Sequence, residues 1–377
     1  MKTRILILTE LGDIHAYAVA EALRRKGAEA VLWHTSDFPS CSGETILFEG
    51  GQRTVTVRGP AMELEDDRFS TVWHRRPTHA LDEGLLHPAD RRFADIECSV
   101  FRRSLFNLIA PEAFWVNPPD AVTRAGRKPL QHQIASEIGF VTPATAYTNY
   151  PEQIRSFLAR HRQIVYKTFH GAAWRDDETC WAVYTSLLTE ERLVEDDILR
   201  SVPGIYQELV EKAHELRVTV MGDRIFPAKL DSQRTRSGRL DWRRSYRELQ
   251  MEACDLPPVI AERCRAILNR LGLVFACIDL IVTPAGEYVF LELNEMGQFL
   301  FVERYTGLPL LDAFAEFLVQ GCPRFAWEPG RVQVRYADIA ELVLRHEAEL
   351  AGRHAPSPDR SIRECGEAEP SNRCRPP

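Results

Sequence analysis

The first third of the chain alternates short apolar runs with one amphipathic segment, which is the pattern of a parallel α/β sheet. Residues 4–9 are predicted to be a strand, and their continuous apolar run at residues 5–8 is typical of a strand that is covered on both faces. Apolar residues recur at helical spacing over residues 15–26, and Gly27 follows as a C-cap signal. Residues 30–34 are predicted to be a second strand. Together these segments predict a βαβ unit.

Further elements complete the predicted N-terminal domain. Two short strands are expected near residues 45–48 and 53–57, joined by Gly50-Gly51, and residues 71–77 form another strand that ends at proline. A helix of about twenty residues is expected from 89 to 109. The sequence Trp115-Val116-Asn117-Pro118-Pro119 then breaks the pattern. We therefore expect a first domain over residues 1–118.

The rest of the chain predicts two more domains and a tail. Residues 119–203 contain predicted helices at 120–126, 130–138 and 151–160 and strands at 142–148 and 164–168, the last ending at His170-Gly171. Residues 204–325 contain a strand at 205–211, a hairpin of 216–221 with 224–229, a helix at 258–271, a hairpin over 275–294 and a helix at 310–320. Residues 326–377 are expected to be partly helical, at 336–350, and then disordered.

The hairpin over residues 275–294 carries the strongest chemical signal. With Ala285-Gly286 at the tip of its turn, Asp279 lies directly opposite Glu292, and Asn294 projects from the same face. Two facing carboxylates repel each other unless a cation lies between them. Hard oxygen ligands of this kind suit Mg²⁺. A solvated polar edge is the alternative, and the strongly apolar surroundings favour the metal.

Composition narrows the class of protein. A formal net charge of −7 argues against general nucleic-acid binding, although residues 233–247 are locally basic. No apolar run reaches the length of a membrane span, and the N-terminus leads into a strand instead of a signal peptide. The nine cysteines are scattered without a Cys-x-x-Cys pair. Reduced thiols in a cytoplasmic protein are expected, without zinc.

Lysines are scarce in this chain, so each of four lysines is considered as a candidate functional residue, namely Lys128, Lys167, Lys212 and Lys229. Lys167 ends an apolar strand before a glycine-containing turn, where an ammonium reaches a phosphate as a point charge. A lysine extending its charged end from a strand terminus is an equally good interpretation of that residue alone. Lys128 follows Gly126 in a predicted loop and by itself indicates nothing.

Two strands of the third region offer further candidates. Residues 207–211 alternate acidic and apolar positions, as in an edge strand whose backbone meets a purine, but a half-exposed strand is favoured for the segment alone. Arg217 suits a phosphate, or alternatively a surface salt bridge. Whether it shares a face with Lys229 depends on a two- or three-residue turn at Gly222-Asp223. The chain has no P-loop, dinucleotide fingerprint or nucleophile elbow.

The order of these features resembles the ATP-grasp superfamily over about residues 115–325. The resemblance implies an α/β and α+β protein in which two α+β lobes clamp ATP, preceded by the family's βαβ domain. It implies ATP and Mg²⁺ as cofactors. The roles it assigns are phosphate contacts for Lys128, Lys167 and Arg217, backbone contacts to adenine for Glu208 and Val210, the ribose for Glu215, and the metal for Asp279, Glu292 and Asn294.

Finer motifs are similar to the microviridin-type (graspetide) peptide ligases. They lie at residues 72–77, 117–118, 215–220, 228–233, 241–243 and 294–300. The resemblance implies a ligase that activates side-chain carboxylates of a ribosomal precursor peptide (leader plus core) as acyl phosphates and closes macrocyclic esters or amides. It assigns Arg217, Lys229, Asp231 and Arg243 to catalysis, and allows a homodimer. No nucleic acid or membrane partner is expected.

The chain departs from the usual pattern at three places. One glycine follows Lys167 where the superfamily often has several, Pro129 directly follows Lys128, and Glu295 stands where a proline is common. An extra carboxylate at 295 bears on the number of metal ions. Two other functions stay open, namely a ligase that adds a free amino acid to a peptide or small acid, and a non-catalytic partner that binds ATP or a leader peptide.

Overall fold

The computed structural model describes residues 2–355, except residues 61, 66–67, 83, 162, 170–172, 176–179, 183, 237 and 247; for 173–175 and 180–182 only the backbone is described. The predicted turn at His170-Gly171 and residues 356–377 of the predicted disordered tail lie outside this part of the chain. No helix among the described residues is long and apolar enough to cross a membrane.

The N-terminal region is built on a four-stranded parallel sheet in the order β2-β1-β6-β7. Its elements are β1 (Arg4–Thr9), α1 (Ile14–Arg25), β2 (Glu29–His34), β3 (Gly43–Glu49), β4 (Gln52–Gly59), β5 (Met62–Glu65), β6 (Thr71–His74), α2 (Pro88–Leu108) and β7 (Phe114–Val116). The βαβ unit is present as predicted. Strand β7 lies in a segment expected only to break the chain, and β3, β4 and β5 form a separate antiparallel sheet.

The central region contains a four-stranded antiparallel sheet in the order β12-β9-β13-β8. Its elements are α3 (Pro119–Ala125), α4 (Lys128–Glu137), β8 (Thr145–Thr148), α5 (Pro151–Arg160), β9 (Ile164–Lys167), β10 (Ala173–Arg175), β11 (Cys180–Ala182), β12 (Ser186–Leu188), α6 (Asp196–Ser201) and β13 (Gly204–Glu208). Because β13 pairs with β8 and β9, the central sheet extends beyond residue 203. Lys128 begins α4 and is not in a loop, since Pro129 is well tolerated in a first helical turn.

The C-terminal region is built on a five-stranded antiparallel sheet in the order β16-β15-β14-β17-β18. Its elements are β14 (His214–Met221), β15 (Arg224–Leu230), β16 (Met251–Ala253), α7 (Pro258–Leu271), β17 (Phe275–Val282), β18 (Tyr288–Asn294), α8 (Leu300–Thr306), α9 (Leu310–Gln320) and α10 (Ala340–Leu350). Short 3-10 helices lie at Thr35–Asp37, Glu190–Arg192, Ser232–Arg234, Trp242–Ser245, Pro329–Arg331 and Tyr336–Asp338.

The β17–β18 hairpin has a longer turn than predicted but the predicted central pairing. Val282 pairs with Tyr288, so the turn spans residues 283–287 and not two residues. A bulge next to Asp279 then shifts the register back by one residue, so Asp279 lies opposite Glu292. The two offsets cancel, and the predicted opposition of the two carboxylates is present.

The main hydrophobic core joins the N-terminal region to helices α9 and α10. Helix α9 is buried on most sides and packs on α1 and β6, where the rings of Trp73 and Phe314 lie 4.9 Å apart. Helix α10 also packs on α1 and buries Val343. At the last described residues, His354 Nδ1 and Ala355 N bond to the buried carboxylate of Asp37. The described part of the tail is therefore integral to the N-terminal fold.

Candidate active site

A cavity of about 790 Å³ opens between the three main sheets. The N-terminal sheet contributes residues at the ends of its strands, the central sheet contributes β9 and β13, and the five-stranded sheet contributes β14, β17 and β18. The structure brings most of the predicted site residues together in its wall, namely Lys128, Lys167, Glu208, Val210, Glu215, Arg217, Arg243, Asp279, Glu292 and Asn294.

Lys229 and Asp231 are not part of this wall. The Gly222-Asp223 turn has two residues, so Arg217 pairs with Ala228 and the neighbouring Lys229 projects from the other face of the sheet. There Lys229 Nζ donates to Glu252 Oε1 at 2.8 Å. Asp231 lies outside the cavity as well, at the start of the 3-10 helix Ser232–Arg234. Neither residue therefore lies in the cavity with the other predicted catalytic residues, Arg217 and Arg243.

The acidic face of the hairpin is held together by cations and an amide. Arg217 Nη1 donates to both carboxylate oxygens of Asp279 at 2.9 Å. Asn294 Nδ2 donates to Asp279 Oδ2 at 3.1 Å. Lys128 Nζ lies 3.2 Å from Glu292 Oε2. The two carboxylates and the amide thus converge on one side of the hairpin, as the sequence predicts.

The two facing carboxylates differ in acidity. Burial raises the pKa of Asp279 to about 6, against the opposing effect of Arg217. Burial also acts on Glu292, but Lys128 and Lys167 outweigh it and hold the pKa of Glu292 below its ordinary value. A further cation between the carboxylates would favour ionisation of both.

The donor set fits Mg²⁺. It supplies two carboxylates and one amide oxygen, all hard ligands, and the cation would offset the repulsion between Asp279 and Glu292. Among the described residues, no group of three or more His, Cys, Asp and Glu side chains could hold a metal. This set agrees with that finding because Asn294 supplies its third ligand. Mg²⁺ usually keeps several waters and also binds substrate phosphates, so three protein ligands suffice.

Lys167 faces the cavity with a neutral partner. Its ammonium donates to Gln207 Oε1 at 2.7 Å, and Gln207 Nε2 donates in turn to Thr145 Oγ1 at 3.0 Å. Burial lowers the pKa of Lys167. A partly buried ammonium held by an amide, and not by a carboxylate, retains its attraction for an anion. Sequence reasoning missed Gln207, which lay inside the predicted strand without a distinguishing signal.

The residues predicted to contact adenine and ribose, Glu208, Val210 and Glu215, lie in different local structures. Glu208 is the last residue of β13 and exchanges hydrogen bonds with Ala144 through its backbone and its carboxylate, both at 2.9 Å. Val210 therefore lies beyond the strand, which was predicted to continue to residue 211. Glu215 Oε1 accepts a hydrogen bond from Lys212 Nζ at 2.7 Å. Lys212, unassigned in the sequence, is thus also part of the cavity wall.

Asp241 fixes Arg243 and was also missed as a site residue. Its buried carboxylate accepts hydrogen bonds from Arg243 N, Nε and Nη2 at 3.1, 2.9 and 2.6 Å. It also accepts from Thr185 N at 3.2 Å, which ties it to the central region. Burial opposes ionisation, but these donors hold the pKa of Asp241 at about 2. The sequence predicts a role only for the arginine of this Asp-Trp-Arg motif.

The segment after Asn294 is anchored from several parts of the chain. The carbonyls of residues 295, 296 and 298 accept hydrogen bonds from Asn117, Arg75 and Arg217 in turn. Asn117 and Arg75 belong to the N-terminal region, so this region directly positions the loop that carries Glu295. The motifs at residues 72–77 and 117–118 thereby acquire a structural role.

Comparison with solved structures places the chain among known ligases, while no protein-family model and no curated protein matches it. The macrocyclase MdnC of Microcystis aeruginosa MRC, bound with precursor peptide MdnA, is 30% identical with a TM-score of 0.73, over 84% of this chain and 100% of that chain. A Chryseobacterium gregarium RiPP-associated ATP-grasp ligase, in complex with ADP and a leader and core peptide, is 29% identical with a TM-score of 0.76, over 85% and 98%. The M. aeruginosa macrocyclase MdnB is 29% identical with a TM-score of 0.71, over 85% and 99%.

The chain therefore belongs to the ATP-grasp superfamily and, within it, to the graspetide-type peptide ligases. The predicted family and fold class are confirmed.

Proposed function

We propose that this protein is an ATP-dependent ligase that activates side-chain carboxylates of a ribosomal precursor peptide and closes macrocyclic esters or amides. The observation that carries the proposal is the convergence of Lys128 and Lys167 with the facing carboxylates Asp279 and Glu292 in one cavity. Relatives support it, since MdnC is bound with a precursor peptide and the C. gregarium ligase is in complex with ADP and a leader and core peptide.

ATP binds in this cavity with its phosphates near Lys128, Lys167 and Arg217. The backbone of Glu208 and Val210 meets the adenine, and Glu215 faces the ribose. These placements rest on the family pattern and on the position of each residue in the cavity wall.

Asp279, Glu292 and Asn294 would hold Mg²⁺. The ion would supply charge neutralisation at the phosphates. The residues around it then have two tasks, which are to orient the phosphates and to keep the reacting carboxylate in line with them.

The chemistry has two steps. A carboxylate oxygen of the peptide attacks the γ-phosphorus of ATP, the bond to the ADP oxygen breaks, and an acyl phosphate forms with ADP. A serine or threonine hydroxyl, or a lysine amine, of the same peptide then attacks the acyl carbon. Phosphate leaves, the proton of the nucleophile passes to solvent, and each ring formed has consumed one ATP. Arg217 and Arg243 stabilise the negative charge that develops during both steps.

Intact mass spectrometry tests the proposal. The precursor peptide encoded beside this gene, incubated with enzyme, ATP and Mg²⁺, is expected to lose one water mass per ring, with one ADP released per ring. The Asp279→Asn enzyme is expected to leave the mass unchanged. A gain of an amino-acid residue mass would instead identify a ligase for free amino acids, and an unchanged mass with the wild-type enzyme would contradict macrocycle formation on that peptide.

We further propose that the enzyme works in the cytoplasm, where its free thiols, including the buried Cys277, remain reduced. A homodimer stays a prediction.

A further inference from the structure

The N-terminal sheet supplies a wall of the cavity that the nucleotide and metal assignments do not use. Glu10 directly follows β1, and Arg76 lies just beyond β6. Both residues therefore stand at the carboxyl ends of parallel strands, the edge at which open α/β sheets bind their ligands. Pro77 and Thr78 continue the same wall.

Two consecutive arginines at this edge have different environments. Arg75 is fully buried, where its Nε donates to Asp13 Oδ2 at 3.0 Å and its Nη1 donates to Met296 O. The backbone N–H groups of Arg75 and Arg76 both donate to Leu8 O, at 3.1 and 3.2 Å, so the backbone is fixed at this point. The side chain of Arg76 lines the cavity and is 38% exposed.

Among the described residues that line the cavity, Arg76 is the cation with the weakest contact to an acid or an amide. The other cavity cations are held by short contacts to a carboxylate or an amide, which are Lys128–Glu292 at 3.2 Å, Lys167–Gln207 at 2.7 Å, Lys212–Glu215 at 2.7 Å, Arg217–Asp279 at 2.9 Å and Arg243–Asp241 at 2.6 Å. Arg76 Nη1 lies 3.8 Å from Glu10 Oε1, which is longer than a hydrogen bond. Within the part of the chain that the structure describes, its guanidinium can therefore bind a ligand without breaking a short ion pair.

The anchoring of Arg75 places Arg76 relative to the reacting centre. Met296 follows the metal-site residue Asn294 by two positions, and Arg75 ties this segment to the strand end that carries Arg76. These contacts fix the position of Arg76 relative to the hairpin that carries Asp279 and Glu292. A ligand bound by Arg76 is therefore held at a defined distance from that hairpin.

We infer that Arg76 binds a side-chain carboxylate of the peptide substrate, an inference that rests on the proposed function. A carboxylate brought beside the phosphates of ATP is an anion near other anions, so it needs a donor of its own. An arginine offers two parallel N–H groups that match a carboxylate. Glu10, close to Arg76, lowers the local positive potential, which suits a singly charged carboxylate better than a polyphosphate. Arg76 therefore contributes to the choice of acidic residues in the peptide.

Binding measurements in a double-mutant cycle test this assignment. The ligands are the precursor peptide encoded beside the gene and the same peptide with its core Asp and Glu residues changed to Asn and Gln, titrated in the presence of ADP and Mg²⁺. The proteins are the wild type, Arg76→Gln, Arg76→Lys, and the control Arg92→Gln, whose arginine lies exposed on α2 outside the cavity.

Arg76→Gln is expected to weaken binding of the acidic peptide about tenfold or more, but binding of the neutralised peptide by less than about twofold. The KM for ATP is expected to stay within about twofold of the wild type, Arg76→Lys to recover part of the loss, and Arg92→Gln to have no effect.

Three results would overturn the inference. These are equal losses for the two peptides, a change in the KM for ATP without a change in peptide binding, and unchanged binding in Arg76→Gln. Thermal unfolding and ADP affinity show whether Arg76→Gln is folded; if it is not, Glu10→Gln replaces it and is expected to tighten binding of the acidic peptide specifically. An unchanged peptide mass with the wild-type enzyme would contradict the proposed function alone. The binding measurement needs no turnover, so it would still test the role of Arg76.

Discussion

Lys128 Nζ lies 3.2 Å from Glu292 Oε2, so a lysine proposed for the phosphates of ATP holds a carboxylate proposed for the metal. A divalent cation and the ammonium therefore compete for the same carboxylate when no nucleotide is bound. Lys128→Met is expected to tighten binding of Mn²⁺, a spectroscopic substitute for Mg²⁺, by roughly three- to tenfold in the nucleotide-free enzyme. Electron paramagnetic resonance of free Mn²⁺ measures this.

The matched control is Lys212→Met, because Lys212 pairs with Glu215 and not with a proposed metal ligand. This variant is expected to leave Mn²⁺ affinity unchanged. Equal Mn²⁺ affinity in Lys128→Met and the wild type would show that the lysine does not shield the metal site.

Lys167 and Lys229 were both predicted to act at the active site, but only Lys167 lies in the cavity wall. Lys167→Met is expected to raise the KM for ATP about tenfold or more, because the cavity loses a partly buried cation that we propose faces the phosphates. Lys229→Met removes an exposed pair with Glu252 and is expected to change KM and kcat by less than about twofold. Steady-state ADP release measures both, and a large loss in Lys229→Met would contradict its placement outside the site.

Asp241 is expected to act through Arg243, whose guanidinium and backbone it holds at 2.6 to 3.1 Å. Asp241→Asn keeps the shape but loses the ion pair, so kcat is expected to fall roughly 10- to 100-fold while the KM for ATP changes little. Asp231→Asn is the control, since Asp231 lies outside the cavity. If Arg243→Gln lowers kcat and Asp241→Asn in that background lowers it again by the full factor, the two residues act independently and the coupling is disproved.

The sequence is informative where chemistry and strand periodicity coincide. The spacing of Asp279, Glu292 and Asn294 predicts the convergence that the structure shows, although the predicted turn was too short and a bulge restored the register. A one-residue error in register moves side chains to the other face of a sheet, so the prediction held only because the turn and the bulge shift the register in opposite directions. Lys229, in contrast, lies on the face of the sheet away from Arg217. Which face it occupies depends on the length of the Gly222-Asp223 turn, and composition does not determine that length.

Long-range contacts are what the sequence could not provide. Asp241 and Gln207 become site residues only because the central and C-terminal regions fold around one cavity. Strand β7 is three residues long and immediately precedes Asn117-Pro118, so local signals for a break outweighed those for a strand. Its pairing with β6 depends on the sheet that is already there.

Acid sensitivity is expected from two buried histidines. Burial lowers the pKa of His34 to about 3 and that of His74 to about 4, both below the value of 6.5 for a free histidine. At a pH between the folded-state pKa and 6.5, each histidine binds more protons in the unfolded chain than in the folded one. The free energy of unfolding is therefore greatest above pH 6.5 and falls as the pH decreases toward 4. Each histidine contributes a slope of about 1.4 kcal/mol per pH unit. Urea unfolding from pH 7.5 to 4.5 measures the slope, which is expected to be shallower in His34→Gln and His74→Gln; an unchanged slope in both variants would contradict the assignment.

Asn117 is expected to be among the most sensitive polar positions for folding. It is buried, and its amide nitrogen donates to Phe275 O and Glu295 O while its oxygen accepts from Val274 N and Phe275 N. Asn117→Ala leaves these backbone groups without their partner, so we expect a loss of about 3 kcal/mol in the free energy of unfolding.

The matched control for Asn117 is Asn107→Ala on the exposed face of α2, where a single hydrogen bond to Arg103 O is removed. This change is expected to cost less than about 0.5 kcal/mol. Because Asn117 also holds the carbonyl of Glu295, next to Asn294, Asn117→Ala is expected to weaken Mn²⁺ binding under conditions in which the variant is still folded. A variant that loses stability but retains wild-type Mn²⁺ affinity would show that the N-terminal region supports the fold without positioning the metal site.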